Sequence, residues 1–285
     1  VKAAIRRVAI GTDADPVMLE VFNNLFMSIA EQMGVTLEKT AYSVNIKERL
    51  DFSCAVFAAD GALIANAPHM PVHLGSMDQS VMAVIEQNPV IKPGDVYVLN
   101  APYNGGTHLP DITVVTPVFD VGEAQATPSS CRTAEGRAGI GEPQEGSGLS
   151  DPGSSPRSGR DDDGGSKDQT GDILFWIASR GHHADAGGKA PGSMTPRATT
   201  IQEEGVVIDN FKLVDQGTFR EEALRELLTS GPWPCRNPDQ NVADLRAQIA
   251  ANEKGVAELR KMGASFGLDG VHGYMLHGED KAEGS

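Results

Sequence analysis

The sequence predicts an α+β fold, with a mixed sheet built from β-hairpins, helices packed against it, and a truncated domain that carries a disordered insertion. Three features indicate this class. Apolar residues recur at helical spacing near both ends of the chain, and short segments rich in β-branched and aromatic residues lie between them. Residues 122–171 contain almost no large apolar side chain. The 285 residues are enough to bury a substantial core.

The first predicted helix begins at Asp15, a capping carboxylate that Pro16 follows at the first helical position. Apolar residues then recur at steps of three and four, which predicts one buried face. We expect this helix to end at Gly34, or to restart there into residues 35–42. The predicted buried face comprises Met18, Phe22, Leu25, Phe26, Ile29 and Met33.

Short strands follow. The Asp60-Gly61 pair is typical of a tight turn and predicts a hairpin between residues 52–58 and 62–66. Later strands are predicted from β-branched and aromatic residues, and later helices from apolar residues at helical spacing. These elements are a helix at residues 75–87, strands at 96–100, 112–119 and 173–179, and helices at 221–228 and 241–262.

The central insertion divides the chain. No aromatic residue occurs between Phe119 and Phe175. Because such a stretch cannot bury enough apolar area to offset the entropy lost on ordering, we predict that it is disordered. It is expected at the tip of a hairpin, where added length costs little. The predicted division is residues 1–121 and 172–277 for one domain, 122–171 for the insertion, and 278–285 for a polar tail.

Composition excludes several classes of protein. The net charge of −15 argues against a surface for nucleic acid or anionic lipid, which needs clusters of Lys and Arg. No apolar run reaches the length of a membrane span. Cys54, Cys131 and Cys235 are odd in number and widely spaced, which fits neither a disulfide framework nor a zinc ribbon. We expect a cytoplasmic protein and, because the chain begins at Val1, a piece of a longer one.

Five of the seven histidines lie in three loops rich in glycine or proline. In the first loop His69 and His73 flank Pro71, which disfavours a helix. In an extended chain the two imidazoles lie roughly 13 Å apart. At most one of them therefore binds an ion directly while the other contacts substrate, unless both only hydrogen-bond the loop backbone.

The second and third loops predict a metal site. His108 and Asp111 offer one nitrogen and one oxygen ligand of the kind that Zn²⁺, Mn²⁺ or Fe²⁺ accepts. His182 and His183 follow a strand that would pair with the strand after Asp111, so one of them is expected beside that carboxylate. Two histidines and a carboxylate leave positions open for water or substrate. The alternative is a pair of tight turns with incidental polar residues.

Other candidates are less specific. Asp185 is a further ligand, a general base, or the carboxylate that orients an imidazole. Arg49 or Lys47 offers a cation for a substrate carboxylate, although such a charged run is more often a solvated connection. Cys54 lies in a predicted strand and is interpreted as a core residue, with a thiol nucleophile as the alternative.

Several longer motifs resemble the hydantoinase B/5-oxoprolinase family, and in particular the B-type half of ATP-dependent 5-oxoprolinases. The resemblance runs from about residue 15 to about residue 275 and omits the insertion. The motifs are SIAEQM at 28–33, NIKERLDFSC at 45–54, APHMPVHLGSM at 67–77, GGTHLPD at 105–111, SRGHHAD at 179–185, PGSM at 191–194, QEEG at 202–205 and DLRAQIAAN at 244–252.

The resemblance implies an enzyme that opens the lactam of 5-oxo-L-proline to L-glutamate at the expense of ATP. In this family an A-type half with an actin-like fold phosphorylates the amide oxygen, and the B-type half completes hydrolysis of the activated intermediate. The resemblance implies a metal in the B-type half, and the ligand types suit Zn, Mn or Fe. The ligands that match the family pattern are His108, Asp111 and His182, with His183 as alternate. Beside them, we assign Asp185 and His73 as catalytic residues and Arg49, His69 and Arg180 as substrate-binding residues.

The A-type half and the later part of the B-type half lie outside this sequence. We therefore expect the site to be complete only in a longer protein or with a partner chain. The expected partners are a lactam substrate, an A-type ATP-binding half that is fused or separate, and further copies of the chain in a homo-oligomer. The alternatives are a hydantoin-type amidohydrolase, a carboxylase subunit, or a non-catalytic fragment.

Overall fold

A sheet of seven described strands with helices on both faces confirms the α+β class. Every strand pair that the structure describes is antiparallel. The predicted insertion and polar tail lie outside the described residues, so the division into domains stays a prediction. The structure, a computed structural model, describes residues 15–67, 70, 73, 75–120, 172–192, 194–268, 270, 271 and 273–275.

The predicted elements are present in the predicted order with bounds that shift by a few residues, and the described part of the chain contains two short helices and two strands that were not predicted. The helices are α1 Pro16–Thr40, α2 Val44–Lys47, α3 Met77–Gln87, α4 Ile201–Glu204, α5 Glu221–Thr229 and α6 Pro238–Phe266, and the strands are β1 Phe52–Ala58, β2 Leu63–Asn66, β3 Val96–Leu99, β4 Asp111–Phe119, β5 Ile173–His182, β6 Phe211–Asp215 and β7 Thr218–Phe219. The strands lie in the sheet in the order β2-β1-β5-β4-β3-β6-β7.

Helix α1 begins as predicted but does not break at Gly34. The Asp15 carboxylate accepts a hydrogen bond from the Val17 N–H at 2.9 Å, which caps the first turn. Gly34 is buried within a continuous helix that packs along α6. There a Cβ on Gly255 would lie 2.6 Å from the Met33 sulfur. Close packing between the two helices therefore outweighs the cost of about 1 kcal/mol for a helical glycine.

Strands β4 and β5 pair on either side of the insertion, as the hairpin prediction requires. Their register places Asp111 directly opposite His182. Strand β5 extends three residues beyond its predicted end at Ser179, so the third histidine loop starts inside the sheet. The backbone conformation of His182 is therefore fixed by strand pairing.

Alternate residues of β5 face opposite sides of the sheet. Trp176 and Ala178 lie in the apolar cluster around α3, whereas Phe175 and Ile177 lie in the cluster around α1 and α6. Because the side-chain period of a strand is two residues, neighbouring positions 182 and 183 also point to opposite faces. The two adjacent histidines are consequently separated by the sheet.

A buried ion pair stabilises the far side of the sheet. The Asp95 carboxylate is fully buried and accepts hydrogen bonds from Lys212 Nζ at 2.8 Å and from the N–H groups of Lys92 and Gln216 at 3.0 Å. Burial alone would raise the pKa of Asp95, but these hydrogen bonds outweigh it and hold the pKa below its ordinary value. Asp95 therefore stays ionised in the folded chain.

We expect Asp95→Ala to lower the free energy of unfolding by about 3 kcal/mol at pH 7, because Lys212 and two amides lose a buried acceptor. Since the folded-state pKa lies below the unfolded value near 4, this contribution is present above that value and is lost as the pH falls through the folded pKa. Urea unfolding at pH 7 and at pH 3 measures the loss of stability and its dependence on pH. The matched control is Asp215→Ala, because the half-exposed Asp215 carboxylate lies 3.6 Å from the same lysine. If Asp95→Ala lowered the free energy of unfolding equally at both pH values, the expectation would be contradicted.

Candidate metal centre

Three neighbouring strands bring polar groups together at one end of the sheet. Strand β4 begins at Asp111, β5 ends at His182, and Asp51 immediately precedes β1. The His182 N–H donates to the Asp51 carbonyl at 3.0 Å, which continues the strand pairing by one residue. Because paired residues of neighbouring strands project to the same face, the three side chains converge on the α3 side.

Two imidazoles share the Asp111 carboxylate. Oδ1 lies 2.8 Å from His182 Nδ1, and Oδ2 lies 2.9 Å from His108 Nδ1. The Thr107 hydroxyl donates to Oδ2 at 2.7 Å. One donor atom from each of the two histidines and the aspartate lies within 4.8 Å of the others. This is a group of side chains that could hold a metal ion, and it unites the two loops that the hairpin pairing was expected to bring together.

The carboxylate of this cluster is held ionised. Burial would raise the pKa of Asp111, but hydrogen bonds from His108, His182 and Thr107 outweigh it and hold the pKa far below its ordinary range. The same hydrogen bond to Asp111 raises the pKa of His108, against the opposing effect of burial. The Asp111 carboxylate is thus ionised in a largely buried position, with two imidazoles as its partners.

A third imidazole faces the cluster. Ser53 Oγ donates its proton to the Met70 carbonyl at 3.0 Å and lies 3.4 Å from His73 Nδ1. The Nε2 atom of His73 lies 3.5 Å from Asp51 Oδ1 and from Asp111 Oδ2. Burial lowers the pKa of His73 despite the nearby carboxylates, which keeps the ring neutral. An imidazole nitrogen beside two carboxylate oxygens is a donor set that accepts either a metal cation or a water molecule between them.

The donor set of imidazole nitrogens and carboxylate oxygens suits Zn²⁺, Mn²⁺ or Fe²⁺. Asp51 was not among the residues proposed from the sequence, because the charged run around it was interpreted as a solvated connection. One signal could have identified it: Asp51 precedes Ser53 and Ala55 at two-residue steps, which continues one face of the predicted strand.

A cavity of about 370 Å³ lies beside His108, between residues 102–108 and residues 198–204. The side chain of His108 is 37% exposed, whereas that of Asp111 is 3% exposed. Small molecules therefore reach the cluster on its His108 side.

Comparison with known proteins identifies the family. The family model for hydantoinase B/oxoprolinase matches residues 15–133 and 166–285. The chain belongs to this family. The 5-oxoprolinase of Dictyostelium discoideum is 42% identical to it over 273 residues, which cover 95% of this chain and 17% of that protein. The 5-oxoprolinase 1 of Arabidopsis thaliana is 41% identical over 279 residues, 95% of this chain and 18% of that protein.

A solved structure has the same fold. The ATP-dependent caprolactamase from Pseudomonas jessenii superposes with a TM-score of 0.69 at 25% identity, covering 95% of this chain and 38% of that chain. This member of the hydantoinase B/oxoprolinase family therefore spans less than a fifth of the length of the two 5-oxoprolinases and well under half of the caprolactamase chain. Among its described helices, none combines the length and apolar character needed to cross a bilayer.

His183, the alternate ligand expected from the sequence, lies outside the cluster. Its Nε2 is 3.0 Å from Gln248 Oε1 and its Nδ1 is 3.2 Å from Asn241 Nδ2, both on α6. The ring is fully buried. Because both nitrogens have partners on the opposite face of the sheet from Asp111, this geometry revises the ligand set in favour of His182.

Arg180 was expected to bind substrate, but its guanidinium is fully buried. It makes five hydrogen bonds, which engage all the N–H groups of the side chain. These bonds connect β5 to the chain around His73 and to the loop before His108. Arg180 therefore holds together segments that carry residues of the cluster. The acceptors are Thr113 Oγ1, the His73 carbonyl, Ser76 Oγ, Ser80 Oγ and the Gly105 carbonyl.

The remaining sequence candidates are dispersed. Asp185 is bound by Arg236, through Nη1 at 2.7 Å and the backbone N–H at 2.6 Å, and lies outside the cluster, and its catalytic role stays a prediction. Arg49 is exposed in the turn between α2 and β1. His69 lies outside the described residues.

Two cysteines are unsuited to nucleophilic chemistry. Cys54 is fully buried and Cys235 is 5% exposed. Burial raises the pKa of Cys54 far above its ordinary value and that of Cys235 to about 12. We expect neither to be alkylated by iodoacetamide at pH 8 in the folded chain, and both after denaturation, as read by peptide mass spectrometry. Rapid alkylation of native Cys54 would restore the thiol alternative.

Proposed function

We propose that this chain is the metal-binding segment of an ATP-dependent cyclic amide hydrolase that opens 5-oxo-L-proline to L-glutamate. The observation that carries the proposal is the Asp111 carboxylate shared between His108 and His182. Its support is the 42% identity to a 5-oxoprolinase over most of the chain. The caprolactamase likeness supports the broader class, a hydrolase of lactams that uses ATP.

The proposed ligands are His108, Asp111 and His182, with the Asp51 carboxylate as a further donor nearby. A bound divalent cation would supply Lewis acidity to the reacting carbonyl and lower the pKa of a coordinated water. Asp111 orients both imidazoles through their Nδ1 atoms, and Thr107 holds its second oxygen in place. Such oriented side chains keep ligand geometry within the narrow limits that metal sites need.

His73 is the residue that we assign to proton transfer. Its Nε2 faces the cluster, and its Nδ1 lies 3.4 Å from the Ser53 hydroxyl. A neutral imidazole can accept a proton from a water molecule, and the two carboxylates beside it offset part of the cost that burial adds to the charged ring. The cavity beside His108 has the volume of a small-molecule site and is the proposed substrate entrance.

Activation by ATP is assigned to an A-type half, fused or as a separate subunit. An unactivated amide resists water, and phosphorylation of its oxygen supplies a good leaving group. A cytoplasmic location follows for the proposed reaction, since ATP is available there.

A chimera tests the proposal. In it, this chain replaces the corresponding segment of the Dictyostelium 5-oxoprolinase, and glutamate and ADP are measured. We expect glutamate formation that depends on ATP and 5-oxoproline, and we expect His108→Ala to abolish it while Asp185→Asn retains it. Activity on caprolactam or hydantoin but not on 5-oxoproline would contradict the proposed substrate and support the broader class of cyclic amide hydrolases. Full activity of the His108→Ala chimera would refute the proposed site.

A further inference from the structure

The buried polar face of helix α6 supplies no atom to the cluster, yet it reaches both strands that carry the candidate ligands. Three carboxamides make up this face, which we term the amide face: Asn241, Gln248 and Asn252, at most 3% exposed. Amides in a helix–sheet interface destabilise a protein unless their polar atoms are bonded. Their partners therefore indicate what the amide face does.

Gln248 bridges the two strands. Its Nε2 donates to the Ile112 carbonyl of β4 at 2.9 Å and to the Ser179 carbonyl of β5 at 3.0 Å. Ile112 directly follows Asp111 in the chain. One side chain thus fixes the lateral position of both strands close to the ends that carry the proposed ligands.

His183 forms a second link between the same two ends. The Asn241 amide donates to Nδ1, which places the ring proton on Nε2, and this proton is donated to Gln248 Oε1 at 3.0 Å. The backbone N–H of His183 donates to the Pro110 carbonyl at 2.8 Å. Because Pro110 precedes Asp111 and His183 follows His182, this backbone hydrogen bond joins the two residues that flank the ligand pair.

Gly181 lies between Arg180 and His182, under the side chains of Ile46 and Gln248. A Cβ at this position would lie 2.9 Å from Ile46 Cδ1 and 3.6 Å from Gln248 Cδ. A side chain there would displace the end of the Ile46 side chain, whereas it would meet Gln248 at an ordinary contact distance.

We propose that Gln248, acting through His183 and the two strand carbonyls, is a positioning residue of the candidate metal centre. It holds the residues on either side of the ligand pair, and so sets the separation of Asp111 and His182. The inference rests on the metal site of the proposed function. Displacement of a ligand by a fraction of an ångström weakens a metal site, whereas loss of a distant hydrogen bond affects only stability.

The affinity of the full 285-residue chain for Zn²⁺, measured in competition with a chromophoric chelator, tests the inference. We expect Gln248→Leu to weaken binding about tenfold or more. The matched control is Asn252→Leu on the same amide face, which removes hydrogen bonds to Val114 and Thr116 farther along β4, and it is expected to retain the parental affinity. Parental affinity in Gln248→Leu, or an equal loss in both variants, overturns the inference.

A second measurement does not need metal. In the metal-free chain, imidazole NMR signals of His182 and His108 are expected to shift in Gln248→Leu and to stay unchanged in Asn252→Leu. If the parent chain binds no Zn²⁺, the proposed metal site fails while these signals alone decide the positioning role. Unshifted His182 and His108 signals in Gln248→Leu would refute that role.

If Gln248→Leu does not fold, His183→Leu breaks the same link from the other side. We expect a loss of about tenfold in Zn²⁺ affinity. His183→Gln, which keeps an N–H donor for Gln248 Oε1, is expected to recover most of it. Parental affinity in His183→Leu overturns the inference.

Discussion

The Asp111→Asn chain is expected to bind Zn²⁺ about a hundredfold more weakly than the parent, a loss of about 3 kcal/mol. Asp111 contacts both His108 and His182, at 2.9 and 2.8 Å. An asparagine removes the negative charge and leaves one acceptor in place of two, so one imidazole loses its partner. Metal content by mass spectrometry and affinity by chelator competition measure the effect.

The matched control is Asp185→Asn, the same substitution at a carboxylate that Arg236 binds outside the cluster. It is expected to retain the parental metal content. Undiminished Zn²⁺ binding by Asp111→Asn would exclude the cluster as the metal site, and equal losses in both variants would indicate a general structural effect.

Replacement of Arg180 by methionine is expected to lower the free energy of unfolding by about 3–5 kcal/mol, measured by urea denaturation. Burial lowers the pKa of Arg180 to about 10, so the guanidinium remains charged at neutral pH. Methionine fills a similar volume but leaves five acceptors without their donor, three of them on buried residues. Since Arg180 pairs with Thr113, two residues inward from the Asp111–His182 pair, the cluster is expected to loosen as well.

Two further variants separate charge from geometry. Arg180→Lys keeps the charge but presents three donors from one atom, and it is expected to recover little of the stability. Arg246→Met removes a partly exposed arginine that pairs with Glu221 at 2.7 Å, and a loss below about 1 kcal/mol is expected. If Arg180→Met lowered the free energy of unfolding by no more than Arg246→Met, the hydrogen bonds of Arg180 would contribute little to stability.

Local signals were sufficient for much of the fold. The cap at Asp15, the Asp60-Gly61 turn and the β-branched segments predicted α1, the first hairpin and the central strands, because each depends on neighbouring residues. The same signals failed at Gly34, where packing between α1 and α6 decides the outcome. They also missed Asp51, which joins the cluster only through the pairing of β1 with β5.

The amino-acid order alone determined that His108 and Asp111 would meet the histidine pair after β5, since strands on either side of an insertion pair as a hairpin. It left open which member of that pair would face the carboxylate. The tertiary structure decided for His182, because β5 extends to this residue in a register opposite Asp111, and a shift of one residue would have exchanged the two imidazoles between the faces. Register depends on packing across the whole sheet, which no local pattern encodes.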